Sequence, residues 1–162
     1  MKFIRVADEK FEFQFSRQEK TLLLHVLSLY PLVPEAHYRL SKGGQIPDQE
    51  ENQRLLDESL KAERMGNQKQ VLALLNEPGR FAARKFQYHA TFTRGEIEWL
   101  LQVLNDVRIG SWIALGSPGY AVPKKLLRDD ETMRQAAIMD VAGGFQAILL
   151  GALNGNLPPE HA

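Results

Sequence analysis

The stretch "FIRVADEKFEFQF" (Phe3–Phe15) decides whether this chain is purely helical or mixed. Phe11, Phe13 and Phe15 alternate with Glu12 and Gln14, the period of a strand with one face on a core and the other in water. A second extended run precedes it, and the polar Ala7–Lys10 segment between them reads as a turn. The pair predicts an N-terminal β-hairpin with its phenylalanines inward. A lone hairpin is marginal in water, and "FQYHATF" (Phe86–Phe92) supplies a third alternating run with Phe86, Tyr88 and Phe92 on one face.

The remainder is patterned for helices. Ser16 with Glu19, Asp48 with Glu51 and Thr93 with Glu96 each place a capping side chain three residues before a carboxylate that can reach back. Apolar runs follow all three, and helices are expected near 17–30, 49–76, 94–115 and 130–153. Pro31 stops the first and opens an irregular loop to Pro47, Gly66-Asn67 should break the polar second, and "GSPGY" (Gly116–Tyr120) ends the third. The expected fold is α+β, mostly α: a bundle of four to five helices with a small antiparallel sheet built on the N-terminal β-hairpin. A length of 162 residues suits one globular domain, taken as 1–155, with 156–162 as a flexible tail.

Composition excludes more than it assigns. Lys+Arg and Asp+Glu both count 20, so no net field attracts nucleic acid or anionic lipid. The absence of cysteine removes disulfides, thiolate zinc sites and thiol catalysis. His25, His37, His89 and His161 do not stand at ligand spacing, and no Gly-x-Ser-x-Gly, Gly-x-Gly-x-x-Gly or Walker-type loop is present. No metal, cofactor or catalytic residue is therefore assigned. The first residues are too charged for a signal peptide. The apolar run Ala136–Leu153 contains Asp140 and Gln146 and reads as a buried bundle helix rather than a membrane span. The expected location is the cytoplasm.

Three features invite a functional reading. In "RFAARKFQYHATFTR" (Arg80–Arg94), the cations Arg80, Arg84, Lys85 and Arg94 alternate with aromatic rings, a chemistry suited to nucleic acid. The competing reading, favoured by the zero net charge, turns the rings to the core and pairs the cations with the acidic stretch Asp48–Glu58. Gly143, Ala147 and Gly151 form a row of small residues that lets another backbone come close. That row serves an intramolecular helix crossing on the favoured reading, and a homodimer seam or partner groove on the other.

The third feature lies in "WLLQVLNDVRIGSWIALG" (Trp99–Gly116), where Asn105, Asp106 and Arg108 interrupt an apolar helix. Helical geometry points Asp106 and Arg108 about 200° apart, so they cannot pair with each other. Asp140 has the complementary need, and an Arg108–Asp140 pair across two packed helices is the expected solution. The rival is a pocket floored by Asn105, Asp106 and Arg108.

This stretch, with "FSRQEKTLLLHVL" before it and "MDVAGGFQAILLGAL" after it, resembles an uncharacterised family of bacterial proteins catalogued as a domain of unknown function. That family is best populated in actinobacteria and is often encoded beside the Clp protease adaptor. Trp99, Leu104, Asn105, Asp106, Arg108 and Gly116 match its pattern. Ser111, Trp112 and Ala114 depart from it, standing where Leu, Gly and Arg are usual. The resemblance implies the fold and a bacterial cytoplasm, and it names no reaction. A regulatory role considered for some members would here have to work without a thiol.

The expected function is that of a non-enzymatic bacterial regulatory or protein-interaction protein, whose partner is another protein or a second copy. The alternatives are a DNA-binding transcriptional regulator using Arg80–Arg94 with "PKKLLR" (Pro123–Arg128), and an enzyme with a site around Asn105, Asp106 and Arg108.

Overall fold

The structure, a computed structural model, describes residues 1–34, 49–119 and 129–155. Residues 35–47 of the expected loop, the Asp48 cap, the "PKKLLR" segment and the 156–162 tail lie outside the described residues.

The fold is α+β and mostly α. Strands β1 (Lys2–Ala7) and β2 (Lys10–Phe15) form the N-terminal hairpin around Asp8 and Glu9, both at positive φ (50° and 60°). Helix α1 (Arg17–Ser28) and the long α2 (Gln49–Leu75) follow. Strands β3 (Ala82–Arg84) and β4 (Gln87–Thr93) then lead into α3 (Arg94–Ala114) and α4 (Asp130–Leu153). The antiparallel sheet has the order β1-β2-β4-β3, so the two hairpins meet at its centre through β2 and β4.

The strand register explains the core. Phe11 pairs with Phe92, Phe13 with Ala90 and Phe15 with Tyr88, and these face one way because side chains alternate. The Phe13 ring lies 5.9 Å from Phe92 and 5.5 Å from Phe3. Leu23, Val26 and Leu27 of α1 join this layer, as do Ile97, Leu100, Val103, Leu104 and Val107 of α3. Helix α4 adds Ile138, Ala142, Phe145, Leu149 and Ala152.

Two of the expected helix starts are capping boxes in full. Ser16 and Thr93 accept from the backbone N–H of Glu19 and Glu96, whose carboxylates take the cap residues' own N–H groups. At the end of α3, Gly116 (φ 80°) and Ser117 donate back to Ile113 and Trp112, which satisfies carbonyls the helix leaves open. The Trp112 indole then donates to Pro118 O at 2.8 Å.

Several expectations need correction. Gly66-Asn67 does not break α2, which runs through as one 27-residue helix. One glycine costs only about 1 kcal/mol in a helix, and Asn67 Nδ2 reaches Tyr30 Oη at 3.2 Å while Val71 and Leu74 anchor the next turns. Phe86 is not on the core face: it is 95% exposed, because Lys85-Phe86 is the two-residue turn between β3 and β4. The three-residue β3 was not anticipated at all. Its short length hides any alternation.

Glu12, expected on the wet face, is only 8% exposed. A β-bulge between Phe3 and Arg5 brings Arg5 opposite Glu12, and Arg5 Nε donates to Glu12 Oε2 at 2.9 Å. His89 Nδ1 lies 3.1 Å from Oε1 and Arg84 Nη1 3.6 Å from it. The hydrogen bond from Arg5, then that with His89, hold this carboxyl below the usual carboxylate range. Side chains from all four strands thus tie the outer face of the sheet together.

Candidate functional site

Helices α3 and α4 make the most extensive contact between any two elements, as the polar-cluster argument requires. Their packing splits that cluster in two. Asn105, Arg108 and Asp140 line a groove of about 640 Å³ between the helices, together with Met139, Gly143, Gln146, Ala147 and Leu150. Asp106 is not in the groove. It points to the other side of α3, where its Oδ1 accepts from the backbone N–H of Leu32 (2.6 Å) and Val33 (3.2 Å).

Asp106 therefore belongs to a clamp on the chain leaving α1. Arg64 Nη2 donates to Val33 O at 2.7 Å, and Asn67 holds Tyr30 as above. Burial pushes the Tyr30 hydroxyl's pKa up, against the Asn67 hydrogen bond. Leu32 passes so near α3 that a Cβ on Gly110 would fall 2.7 Å from its carbonyl carbon. The residues 30–33 are thus gripped by α2 on one side and α3 on the other.

The groove side replaces the expected Arg108–Asp140 pair. No ion pair within 4 Å joins them among the described residues; Arg108 Nη1 instead donates to Gln146 Oε1 at 3.4 Å. Gln146 is 9% exposed and hands its own amide N–H to Leu101 O at 3.3 Å. The guanidinium lies across the helix beside Gly143, where a Cβ would sit 3.6 Å from Nε. Gln146 carries the crossing because a neutral amide can satisfy a carbonyl on α3 and a cation at once. Its signal in the sequence is that it is one of few polar residues in a nearly continuous apolar run.

Helix α4 is only half covered. It is long and apolar enough to cross a membrane by length and composition, yet only 33% of its most apolar window is buried. Its inner face meets the core. Its outer face leaves Met133, Ala137, Asp140, Gly144, Ala147 and Leu150 exposed. The expected buried bundle helix is therefore buried on one face alone. The expected small-residue row is divided, with Gly143 under Arg108 and Ala147 open at the rim of the groove.

The basic segment is neutralised rather than bare. Arg80 pairs with Glu77 (2.9 Å) and Glu96, donates to Thr91 O at 3.0 Å and lies over the Phe92 ring. Burial alone would raise the Glu96 pKa; hydrogen bonds from the Thr93 backbone and Arg80 outweigh it and leave the carboxyl lowered. Arg84 meets Glu12, and Arg94 meets Glu98 at 3.8 Å. The expected partners were the acids of Asp48–Glu58, but the observed ones come from β2, α3 and the turn after α2. Short local spacings and strand pairing decide this, not the overall charge of a distant segment. Lys85 stands at the exposed hairpin tip, at φ 55°.

Among the described residues no group of three or more His, Asp and Glu is placed to hold a metal ion. The groove lining offers one carboxylate, one guanidinium and two amides, without histidine or hydroxyl. That set can hold charge and hydrogen-bond a partner. No protein-family model, curated protein or solved structure matches the chain.

Proposed function

We propose that this chain is a protein-interaction module that works by docking a partner on α4 and the adjoining α3 rim, and that it has no catalytic role. The observation that carries the reading is the uncovered outer face of α4, with Met133 and Leu150 respectively 45% and 46% exposed on an otherwise apolar helix. A helix apolar on all sides needs cover on all sides. Arg108 and Asp140 give the surrounding groove the polar rim common to protein interfaces. Asp140, set midway along the exposed face, weighs against a lipid occupant, since a carboxylate in hydrocarbon is costly. The carboxylates around Arg80, Arg84 and Arg94 weigh against nucleic acid, which needs its cations free.

The test is site-specific photo-crosslinking in the cells that make the protein. A photoreactive residue replacing Ala147 is expected to give a discrete protein adduct, and one replacing the exposed Glu58 of α2 none. Adding Ala137→Arg, which obstructs the face without entering the core, should abolish the Ala147 adduct. Equal labelling from both positions, or none from Ala147, would refute the reading.

A further inference from the structure

We infer that the partner seated on α4 is a second copy of this chain, joined through an antiparallel two-fold seam in which Arg108 of each copy meets Asp140 of the other. This rests on the docking reading above and names its occupant. Arg108 and Asp140 lie on one groove, carry opposite charges, and have no oppositely charged partner within 4 Å among the described residues. A surface bearing one unpaired cation and one unpaired anion is complementary to itself, because a two-fold axis brings each onto the other's mate.

The order of residues along the face points the same way. Met133, Ala137, Asp140, Gly144, Ala147 and Gly151 are spaced four, three, four, three and four apart. That is the three-four repeat of a helical seam, and its symmetry about position 142 lets a reversed copy set the same row against itself. Reversal sets Ala137 against Ala147, Asp140 against Gly144, and Met133 against Gly151 with Leu150 beside it. Large side chains thus meet small ones. Asp140 then falls one residue from the other copy's Gly143, where that copy's guanidinium lies across the helix. The two features agree on one register.

Charge reversal tests this in purified protein by sedimentation over a concentration series. The wild type is expected to form a dimer. Arg108→Asp sets carboxylate against carboxylate and Asp140→Arg sets guanidinium against guanidinium, so each alone should raise the dimer dissociation constant at least tenfold. An equimolar mixture of the two variants restores both opposite pairs, and the dimer should return. Both positions are exposed, and circular dichroism with a melting curve confirms that each variant is folded. A wild type that stays monomeric throughout overturns the inference, as do single reversals that dimerise normally or a mixture that does not recover. Monomeric wild type with an Ala147 adduct to a different protein would reject the second copy and leave the docking reading standing; loss of that adduct rejects both.

Discussion

Gly110→Ala is expected to destabilise the fold by about 1 kcal/mol net, even though alanine is the better helix former by about 1 kcal/mol. The sign is set by Leu32. An added Cβ would lie 2.7 Å from the carbonyl carbon, Cβ and Cγ of that residue, closer than such contacts exist, so something must move. The backbone of Leu32 has little freedom to yield, since its N–H and that of Val33 are bonded to Asp106. Overpacking at such a site costs on the order of 1–3 kcal/mol, the upper part of which exceeds the propensity gain. Urea unfolding measures it. Gly66→Ala is the control, because no neighbouring atom lies within 4 Å of its added Cβ and only the propensity gain remains. A Gly110→Ala protein stabilised as much as Gly66→Ala would mean that Leu32 does not pack against α3.

Asp106→Ala should cost more, about 2 kcal/mol, by leaving two partly buried amides without their acceptor. The effect is local in structure. Hydrogen exchange at Leu32 and Val33 should accelerate, while the amides of β2 and β4 keep their relative protection. Asp106→Asn retains an acceptor oxygen and should recover most of the loss. If Asp106→Ala leaves stability and the exchange of both amides unchanged, the clamp on residues 30–33 is not a structural element. If it instead abolishes partner binding with the fold intact, Asp106 belongs to the docking face after all.

How much of this was legible in the sequence follows from the range of each interaction. The hairpin and the capping boxes at Ser16 and Thr93 depend on residues within a few positions, and their patterns are readable without a fold. The core faces of β2 and α3 follow from periodicity. Phe86 misled because alternation continues past a turn that only the Arg84–Gln87 pairing reveals. The polar cluster was legible as a problem, since helical geometry already separates Asp106 from Arg108. Its solutions were not legible: Asp106 meets backbone amides 73 and 74 residues away, and Arg108 meets an amide 38 residues away. Backbone N–H groups carry no residue-type signal, so a carboxylate that seeks them looks unpartnered in the sequence. Asp140 offered a visible opposite charge, and that visibility suggested a pairing inside the chain that the helix crossing does not make.

The central claim is that the open face of α4 is covered by another α4 running the opposite way. Spin labels measure this directly, and the lack of cysteine makes any introduced thiol unique. Arg134 and Asn154 are exposed near the two ends of α4. In the antiparallel dimer, position 134 of one copy and 154 of the other fall about 6 Å apart along the helix axis, from a rise of 1.5 Å per residue. The same-site pairs are separated by about 24 and 36 Å on that rise. Mixing Arg134→Cys and Asn154→Cys proteins, each spin-labelled, should therefore produce strong dipolar broadening that neither protein shows alone. Broadening in the single-label samples that weakens on mixing would mean a parallel pair, and no broadening in any sample would mean that α4 does not meet its copy.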